Sequence, residues 1–322
     1  MRFVFVMDPV SSVSVDEDTS FALMLEAQAR GHRVYHCRER DVGLHGGSVR
    51  AHACLATMRR ASERPIELGA PEWIALEDVD AVFVRKDPPF DDAYLWLTLV
   101  LEHLRGETLV INDPRGLREA NEKLYTTFFS AVAPSTAVLS DREAIRAYVR
   151  EVGGKAVIKP IDGHGGEGVF ALNLGDKNFN AIVETVTRAG RRLAMVQELI
   201  PEVVEGDKRI LLMAGEPLGA ILRVPRPDDL RSNIHVGGSV VHAEIDAADE
   251  RIIEAVRPRL LRDGLLFVGL DVIGGRLTEV NVTSPTGIQQ MSRLSGRNCE
   301  APVIDWIERR CAEDADPRSG EN

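Results

Sequence analysis

The sequence predicts an α/β fold in the first third of the chain, giving way to α+β organisation afterwards. Three observations carry this. Short apolar runs of strand length alternate with helical patterns from Phe3 to Ile111. Three of those strands finish in polar, proline-punctuated corners: Asp8-Pro9, Arg85 to Pro89, and Asn112-Asp113-Pro114. From about Glu122 onward, strand runs follow one another across tight glycine turns, as hairpins do. At 322 residues, 44% apolar and 28% charged, the chain has room for about two domains with sizeable cores.

Taken in order, Phe3 to Val6 reads as a buried strand. Asp18 or Thr19 caps a helix carrying Phe21, Met24 and Leu25, Gly31 stops it, and Val34 to Cys37 is the next strand. Ala81 to Val84, a helix from about Asp91 to Arg105, and Leu109 to Ile111 complete the alternation. In an open α/β sheet ligands sit beyond the carboxyl ends of the strands. Arg85 and Lys86 are therefore candidates for an anionic substrate, the alternative being that they are surface turn residues.

In the second half, Thr136 to Leu139, Ala156 to Lys159 and Leu193 to Val196 read as strands, with a helix from Asp141 to Val152. Lys208 to Met213 pairs with Leu218 to Val224 across Ala214-Gly215, and a helix from about Asp249 to Arg262 precedes the hairpin Phe267–Ile273 and Leu277–Val282. The tail after Cys311 is polar and expected to fray.

A net charge of −11 argues against nucleic acid and anionic membrane as partners. Cys37, Cys54, Cys299 and Cys311 form no CxxC pair, which suits reduced thiols in a cytoplasmic protein. The apolar stretches at Met1 to Met7 and Tyr94 to Leu101 are too short for a secretory leader or a membrane span.

The segment Gly163-His164-Gly165-Gly166-Glu167-Gly168 satisfies GxGxxG, but Val169 to Leu172 after it reads as a strand, whereas a dinucleotide fingerprint opens a helix. A glycine-rich loop between two strands instead suits folding over nucleotide phosphates, with Lys159 at the end of the preceding strand adding positive charge. The bland alternative is a flexible hairpin tip.

In the hairpin around Gly274-Gly275, Glu279 and Asn281 share a face. A two-residue turn would put Asp271 on the other face, and a three-residue loop would set it opposite Glu279. If the three converge they form an oxygen-only set suited to Mg²⁺ held with nucleotide phosphates; otherwise they are a solvated face. Arg209 and Arg223 lie on neighbouring strands and could bring two guanidinium groups to one place. Pro227 to Gly238, with Arg231, Asn233 and His235, reads either as a mobile lid or as a long surface connection.

The chain resembles the prokaryotic glutathione synthetases of the ATP-grasp superfamily over nearly its whole length. The resemblance rests on an ordered series. It opens with Val6 to Pro9, Ser20-Phe21-Ala22 with Glu26-Ala27-Gln28, Arg85 to Phe90 and Asn121-Glu122-Lys123-Leu124, and continues with Lys159-Pro160 and Asp162 to Gly166, Gly206 to Arg209, Gly269-Leu270-Asp271 and Glu279 to Thr286. It implies a Rossmann-like pre-ATP-grasp domain over 1–121, a two-lobed ATP-grasp domain over 122–312 divided near 200, and a flexible tail over 313–322. It also implies ligation of γ-glutamylcysteine to glycine with cleavage of ATP to ADP and phosphate through an acyl phosphate. Mg²⁺ or Mn²⁺ would be the metal, and the assembly a cytoplasmic homotetramer.

By the same resemblance Lys123 and Lys159 hold ATP, and Gly163, Gly165 and Gly166 cover its phosphates. Gln197, Glu198, Leu199 and Ile200 line the adenine, and Asp207 reaches the ribose. Asp271, Glu279 and Asn281 bind the metal, Arg209 and Arg223 stabilise the transferring phosphoryl group, and Arg85, Ser284 and Thr286 hold the peptide. The lid differs from the family pattern in the bulk of Ser232, Ile234 and His235, and the adenine segment in the charge of Glu198.

Overall fold

The structure is a computed structural model that describes residues 1–61, 63–163, 165–225 and 239–315. The lid segment and His164 lie outside the described residues. Apolar strand cores set three sheets. In the first, β1 (Arg2–Met7) lies parallel to β2 (Arg33–Cys37) and β6 (Ala81–Arg85), and β6 lies parallel to β7 (Leu109–Ile111). Helix α1 (Thr19–Ala29) starts where Asp18 accepts from the Phe21 N–H, and α2 (Asp92–Leu101) where Asp91 accepts from the Tyr94 N–H. The helix expected to reach Arg105 ends at Leu101 and tightens into a 3₁₀ turn over Glu102–Leu104. The short α3 (Pro114–Glu119) follows β7.

The sheet extends past β2 by three antiparallel strands that the sequence reading did not contain: β3 (Val42–His45), β4 (Ser48–Met58) and β5 (Ile66–Ala75). Their signal is weak for physical reasons. Strand β4 buries small residues, Ala51 and Ala53, which are poor strand formers, and β5 is an exposed edge containing Gly69 and Pro71.

The second sheet has the order β10 (Phe170–Asn173), β9 (Lys155–Pro160), β11 (Ala194–Glu198), β8 (Thr136–Leu139), all antiparallel. Helices α4 (Arg142–Glu151) and α5 (Phe179–Val186) cover it, the latter not anticipated. Its core, including Ile145, Ile158, Val183 and Val196, is separate from the others.

The third sheet has the order β14 (Ser239–Ala243), β13 (Glu216–Val224), β12 (Asp207–Met213), β15 (Phe267–Ile273), β16 (Arg276–Asn281). Helices α6 (Ala247–Arg262), α7 (Ile288–Ser295) and α8 (Ala301–Ala315) pack around it. Helix α8 runs through Ala315, so residues 313–315, expected to be part of a flexible tail, are helical. Polar composition there does not oppose a helix, because Ala and Glu are strong helix formers.

The first and third sheets share their cores. Val4 and Val82 pack with Ile210 and Val268, and Phe3 and Phe83 fall in one cluster with Leu211 and Val303. Asn112, just past β7, fastens the junction. Its amide donates to the Phe267 and Val282 carbonyls (2.9 and 2.7 Å) and its oxygen accepts from the Leu266 and Phe267 N–H groups (2.8 and 2.7 Å). The second sheet, with its own core, is built as a separate lobe beside this joined body.

Candidate active site

One face of the third sheet gathers the charged residues. Asp207 and Arg209 are two apart on β12 and so point the same way. The register sets Arg223 opposite Asp207 and Asp271 opposite Arg209. Glu279 stands opposite Asp271, but neither simple turn produces this. The turn has two residues, Gly274 and Gly275, both at positive φ, with Ile273 opposite Arg276. A β-bulge then absorbs Thr278 and brings Asp271 level with Glu279 and Gly269 level with Asn281. The convergence expected of a three-residue loop is reached with a two-residue turn and a bulge.

The cluster is held by internal ion pairs. Arg209 grips both carboxylate oxygens of Asp271, through Nε and through Nη2 at 2.9 Å from Oδ2. Arg223 Nη2 donates to Asp207 Oδ2 at 2.6 Å and lies 3.0 Å from Asp271 Oδ1. Asn281 donates to Asp271 Oδ2 at 3.2 Å. Burial alone would raise the Asp271 carboxyl, but Arg209 and Arg223 overcome it and hold the group well below the usual carboxylate range. Burial pushes Asp207 up to about 7 despite the pull of Arg223.

Opposite this face stand the two lysines. Lys123 donates to the Gly163 carbonyl and lies 3.6 Å from Glu279 Oε1. Lys159 on β9 donates to Gln197 Oε1 at 3.2 Å, and burial lowers its pKa. The loop from Gly163 to Gly168 joins two antiparallel strands, with positive φ at Gly165, Gly166 and Gly168. At Gly163 an added Cβ would come within 2.6 Å of Pro160 Cγ, so that position has no room for a side chain.

The Gln197 side chain is buried, whereas the Glu198 carboxylate turns to the rim, accepting from the Ser135 N–H (3.3 Å) and facing Arg276 (3.5 Å). Leu199 and Ile200 follow along the same wall. At the other side Arg85 is buried. Its Nε donates to Ser20 Oγ (3.0 Å) and its Nη2 to the Pro285 carbonyl (2.9 Å), while Ser284 Oγ donates to the Arg85 carbonyl (3.5 Å). The Thr286 carbonyl lies 3.4 Å from Arg209 Nη1, joining the two regions.

Arg85, Lys123, Lys159, the glycine loop, Gln197 to Ile200 and the charged face of the third sheet border one cavity of about 820 Å³ between the second sheet and the joined body. Sequence reasoning assigned no role to three other groups on its wall. Glu122, partly buried and raised in pKa by desolvation and then by Glu279, accepts from Thr283 Oγ1 at 3.0 Å. Thr19 was read only as a cap, and Gln290 lies on α7, which was not read at all. Only Glu122 had a signal, its place beside Lys123 in the Asn121 to Leu124 motif.

Among the described residues no three His, Cys, Asp or Glu side chains converge as a metal site. The set here is two carboxylates and an amide, which suits a hard cation carried in by phosphates better than a closed protein cage. Two buried atoms beside it, Arg223 Nε and Asp207 Oδ1, have no hydrogen-bond partner. Guanidinium groups with spare donors at a cavity wall fit phosphate oxygens. Among the described residues no helix is long and apolar enough to cross a membrane.

A four-stranded antiparallel lobe with a glycine loop, facing an acidic and arginine-rich sheet across one cavity, is the architecture of an ATP-grasp ligase. Solved structures share it: D-cycloserine synthetase DcsG superposes with a TM-score of 0.64 at 15% identity, over 95% of this chain and 99% of that one. The ATP-grasp ligase PsnB with precursor peptide PsnA2 and AMPPNP gives 0.63 at 16%, over 96% and 98%. The sequence profile of the prokaryotic glutathione synthetase N-terminal domain matches residues 1–118, and that of the prokaryotic glutathione synthetase ATP-grasp domain matches residues 122–296. Glutathione synthetase of Synechocystis sp. is 44% identical over 322 residues, covering 96% of this chain and all of the relative; that of Vibrio cholerae is 40% identical over 312 residues, covering 96% and 98%. The chain belongs to the prokaryotic glutathione synthetase family.

Proposed function

We propose that this cavity joins γ-glutamylcysteine to glycine, cleaving ATP to ADP and phosphate. Membership of the family makes the chain an ATP-dependent ligase of glutathione synthesis; the division of labour among its residues is the further step. The observation that carries it is the single cavity bordered by lysines on one wall and by the Asp207–Arg209–Arg223–Asp271–Glu279 face on the other. Three anionic reactants meet in this reaction, so the site needs cations for positioning and for neutralising charge.

Lys123 and Lys159 hold the nucleotide phosphates under the loop of Gly163, Gly165 and Gly166. Gln197, Glu198, Leu199 and Ile200 line the base, the Glu198 carboxylate staying at the rim, and Asp207 meets the ribose. Asp271, Glu279 and Asn281 hold Mg²⁺ or Mn²⁺, which when bound neutralises the phosphate oxygens and orients them for in-line transfer. Arg85, Ser284 and Thr286 hold the dipeptide. Its cysteinyl carboxylate attacks the γ-phosphorus as the bond to the leaving ADP breaks, and the amine of glycine then displaces phosphate from the acyl phosphate. Arg209 and Arg223 bear on the phosphoryl group in both steps. Their resting contact with Asp271 means that binding exchanges partners: the guanidinium groups turn to phosphate as the carboxylate takes the metal. Domain bounds of 1–121 and 122–312, a cytoplasmic location and a homotetramer belong to the same reading.

The test is ADP release by the purified protein with ATP, Mg²⁺, γ-glutamylcysteine and glycine. Release dependent on both amino-acid substrates supports the reading. Release that ignores either one, or none at all, sinks it.

A further inference from the structure

A second concavity, of about 600 Å³, lies on the far side of α7 from the main cavity, between the outer face of α1, the turn after α7 and Arg60 beyond β4. Two carboxylates on its wall are already engaged. Glu26 accepts from Arg30 Nε at 2.8 Å and from Asn298 Nδ2 at 3.0 Å, and Glu300 accepts from Ser292 Oγ. Three arginines on the same wall, Arg60, Arg293 and Arg297, are exposed, and none forms an ion pair with a described residue. The chain carries 50 acidic residues against 39 lysines and arginines, so three guanidinium groups without counterions around one hollow are a local reversal of charge. Arginines scattered on a convex face would simply be solvated; a concave wall concentrates their field on whatever enters.

Contacts link this hollow to the main cavity. At its floor Gln289, 2% exposed, accepts from Arg60 Nη1 at 3.1 Å and donates to the Val15 and Asp18 carbonyls at 3.1 and 2.7 Å. Arg293, one helical turn further along α7, donates to the Asp16 carbonyl. Two of the three arginines therefore hold the 14–18 segment, one directly and one through Gln289. Ser14, Glu17 and Asp18 of that segment border the main cavity, and so does Gln290, the residue after Gln289. The Arg297 side chain has no hydrogen-bond or ion-pair partner among the described residues.

We propose that this hollow is a regulatory site for a small dicarboxylate, which binds Arg60, Arg293 and Arg297 and thereby weakens the hold of the main cavity on the dipeptide. Guanidinium forks match carboxylates bidentately, and three of them call for more than one carboxylate. The volume suits a molecule of peptide size rather than a single ion. A ligand held by Arg60 and Arg293 competes with Gln289 Oε1 and the Asp16 carbonyl for the same donors, so filling the site strips the 14–18 segment of two ties. The coupling is reciprocal: dipeptide in the main cavity must weaken the dicarboxylate by the same factor. The kinetic half of this proposal rests on the ligase reading above, and the binding half does not. The tripeptide product of that reading, with a carboxylate at each end, is one source of such a ligand; a free dicarboxylate is the other.

Calorimetry on the full chain, with ADP and Mg²⁺ present to fill the nucleotide end, compares glutathione, glutarate and inorganic phosphate. Wild type should bind glutathione or glutarate, and added KCl should weaken that binding because the arginines are exposed. Arg297→Met and Arg60→Met should each weaken it about tenfold, the worth of one hydrogen bond between charged groups. Binding of glutathione alone assigns the product as the effector, and binding of both assigns dicarboxylates at large. In ADP-release assays without effector, Arg297→Met should match wild type. With effector, KM for γ-glutamylcysteine should rise about fivefold in wild type, at unchanged KM for ATP, and much less in Arg297→Met. Equal affinity in wild type and both variants would put the ligand in the main cavity and overturn the proposal. So would binding of phosphate alone, no binding at all, or binding that leaves KM for the dipeptide unmoved in an active enzyme. Arginine-dependent binding by a chain that releases no ADP supports the hollow and sinks the ligase reading alone, so the two failures are distinguishable.

Discussion

Asp271→Asn removes one charge and almost no volume from the centre of the site. In the resting protein that carboxylate is bidentate to Arg209 and 3.0 Å from Arg223, with side-chain exposures of 6%, 8% and 8%. Asparagine leaves two buried guanidinium groups beside Asp207, which burial pushes up to about 7 and which therefore neutralises them only in part. Breaking a buried pair by neutralising one partner costs about 3 kcal/mol or more. With an unfolding entropy of about 2.1 cal/mol/K per residue, 322 residues convert 3 kcal/mol into a Tm loss of about 4–5 °C. The pH dependence gives the sign independently. The folded pKa of Asp271 is depressed, so its stabilisation is complete above the unfolded value near pH 4 and lost as pH falls further. The Tm gap between wild type and variant should therefore be constant from pH 7 to 5 and narrow toward pH 3. Metal-free ADP should raise Tm more in the variant than in wild type, since phosphate then neutralises arginines that no longer have Asp271. Melting curves with and without ADP measure all of this. A Tm within about 1 °C of wild type, or a gap that does not respond to acid, would refute the view that Asp271 is the resting counterion of both arginines.

Other outcomes follow from single contacts. Glu279→Ala should abolish Mg²⁺-dependent ADP release while the protein stays folded, because it removes a proposed metal ligand from a preformed face; wild-type rates would contradict the assignment. Arg223→Ala should lower kcat more than it raises the KM for ATP, and a change in KM alone would mean its contact is made equally in the ground state. Asp207 keeps a proton near neutrality that the unfolded chain releases near pH 4, so this group makes stability fall as pH rises toward 7. Asp207→Asn should flatten that slope in Tm between pH 5 and 7, and an unchanged slope would place the titration elsewhere. Asn112→Ala breaks four hydrogen bonds, three of them buried, across the junction of two sheets and should cost about 3 kcal/mol, read as a lower urea midpoint at unchanged m.

How much of this was legible depended on whether the determinant was local. The parallel strands are continuous apolar runs buried on both faces, and the caps Asp18, Asp91 and Asp141 sit where each helix begins, so those elements could be read directly. Strands β3 to β5 were not legible because alanine, glycine and proline weaken them, and only pairing, of β4 with β2 and of β3 and β5 with β4, makes them strands. Helix α7 begins at Gly287 in a left-handed conformation, with no side-chain cap to announce it, and with it Gln290 was missed.

The site divides along the same line. Glycines and charged residues announced the loop and the two arginines, because residue type and spacing alone restrict what such segments do. The face on which Asp271 lies was not decidable, since it depends on a bulge at Thr278, and a bulge is settled by packing. The two-residue turn favours one register; Leu270 and Val280, both fully buried, must face the core together, and they do so only if one residue is absorbed. The apolar demand of the core thus puts the two carboxylates side by side. Once they are adjacent, Asp271 buried and Glu279 half-buried, cations must accompany them, and in the resting protein Arg209, Arg223 and Lys123 meet that need. The groups that neutralise the resting site are therefore those proposed to act on phosphate, so on that proposal nucleotide with its metal would replace one set of counterions with another.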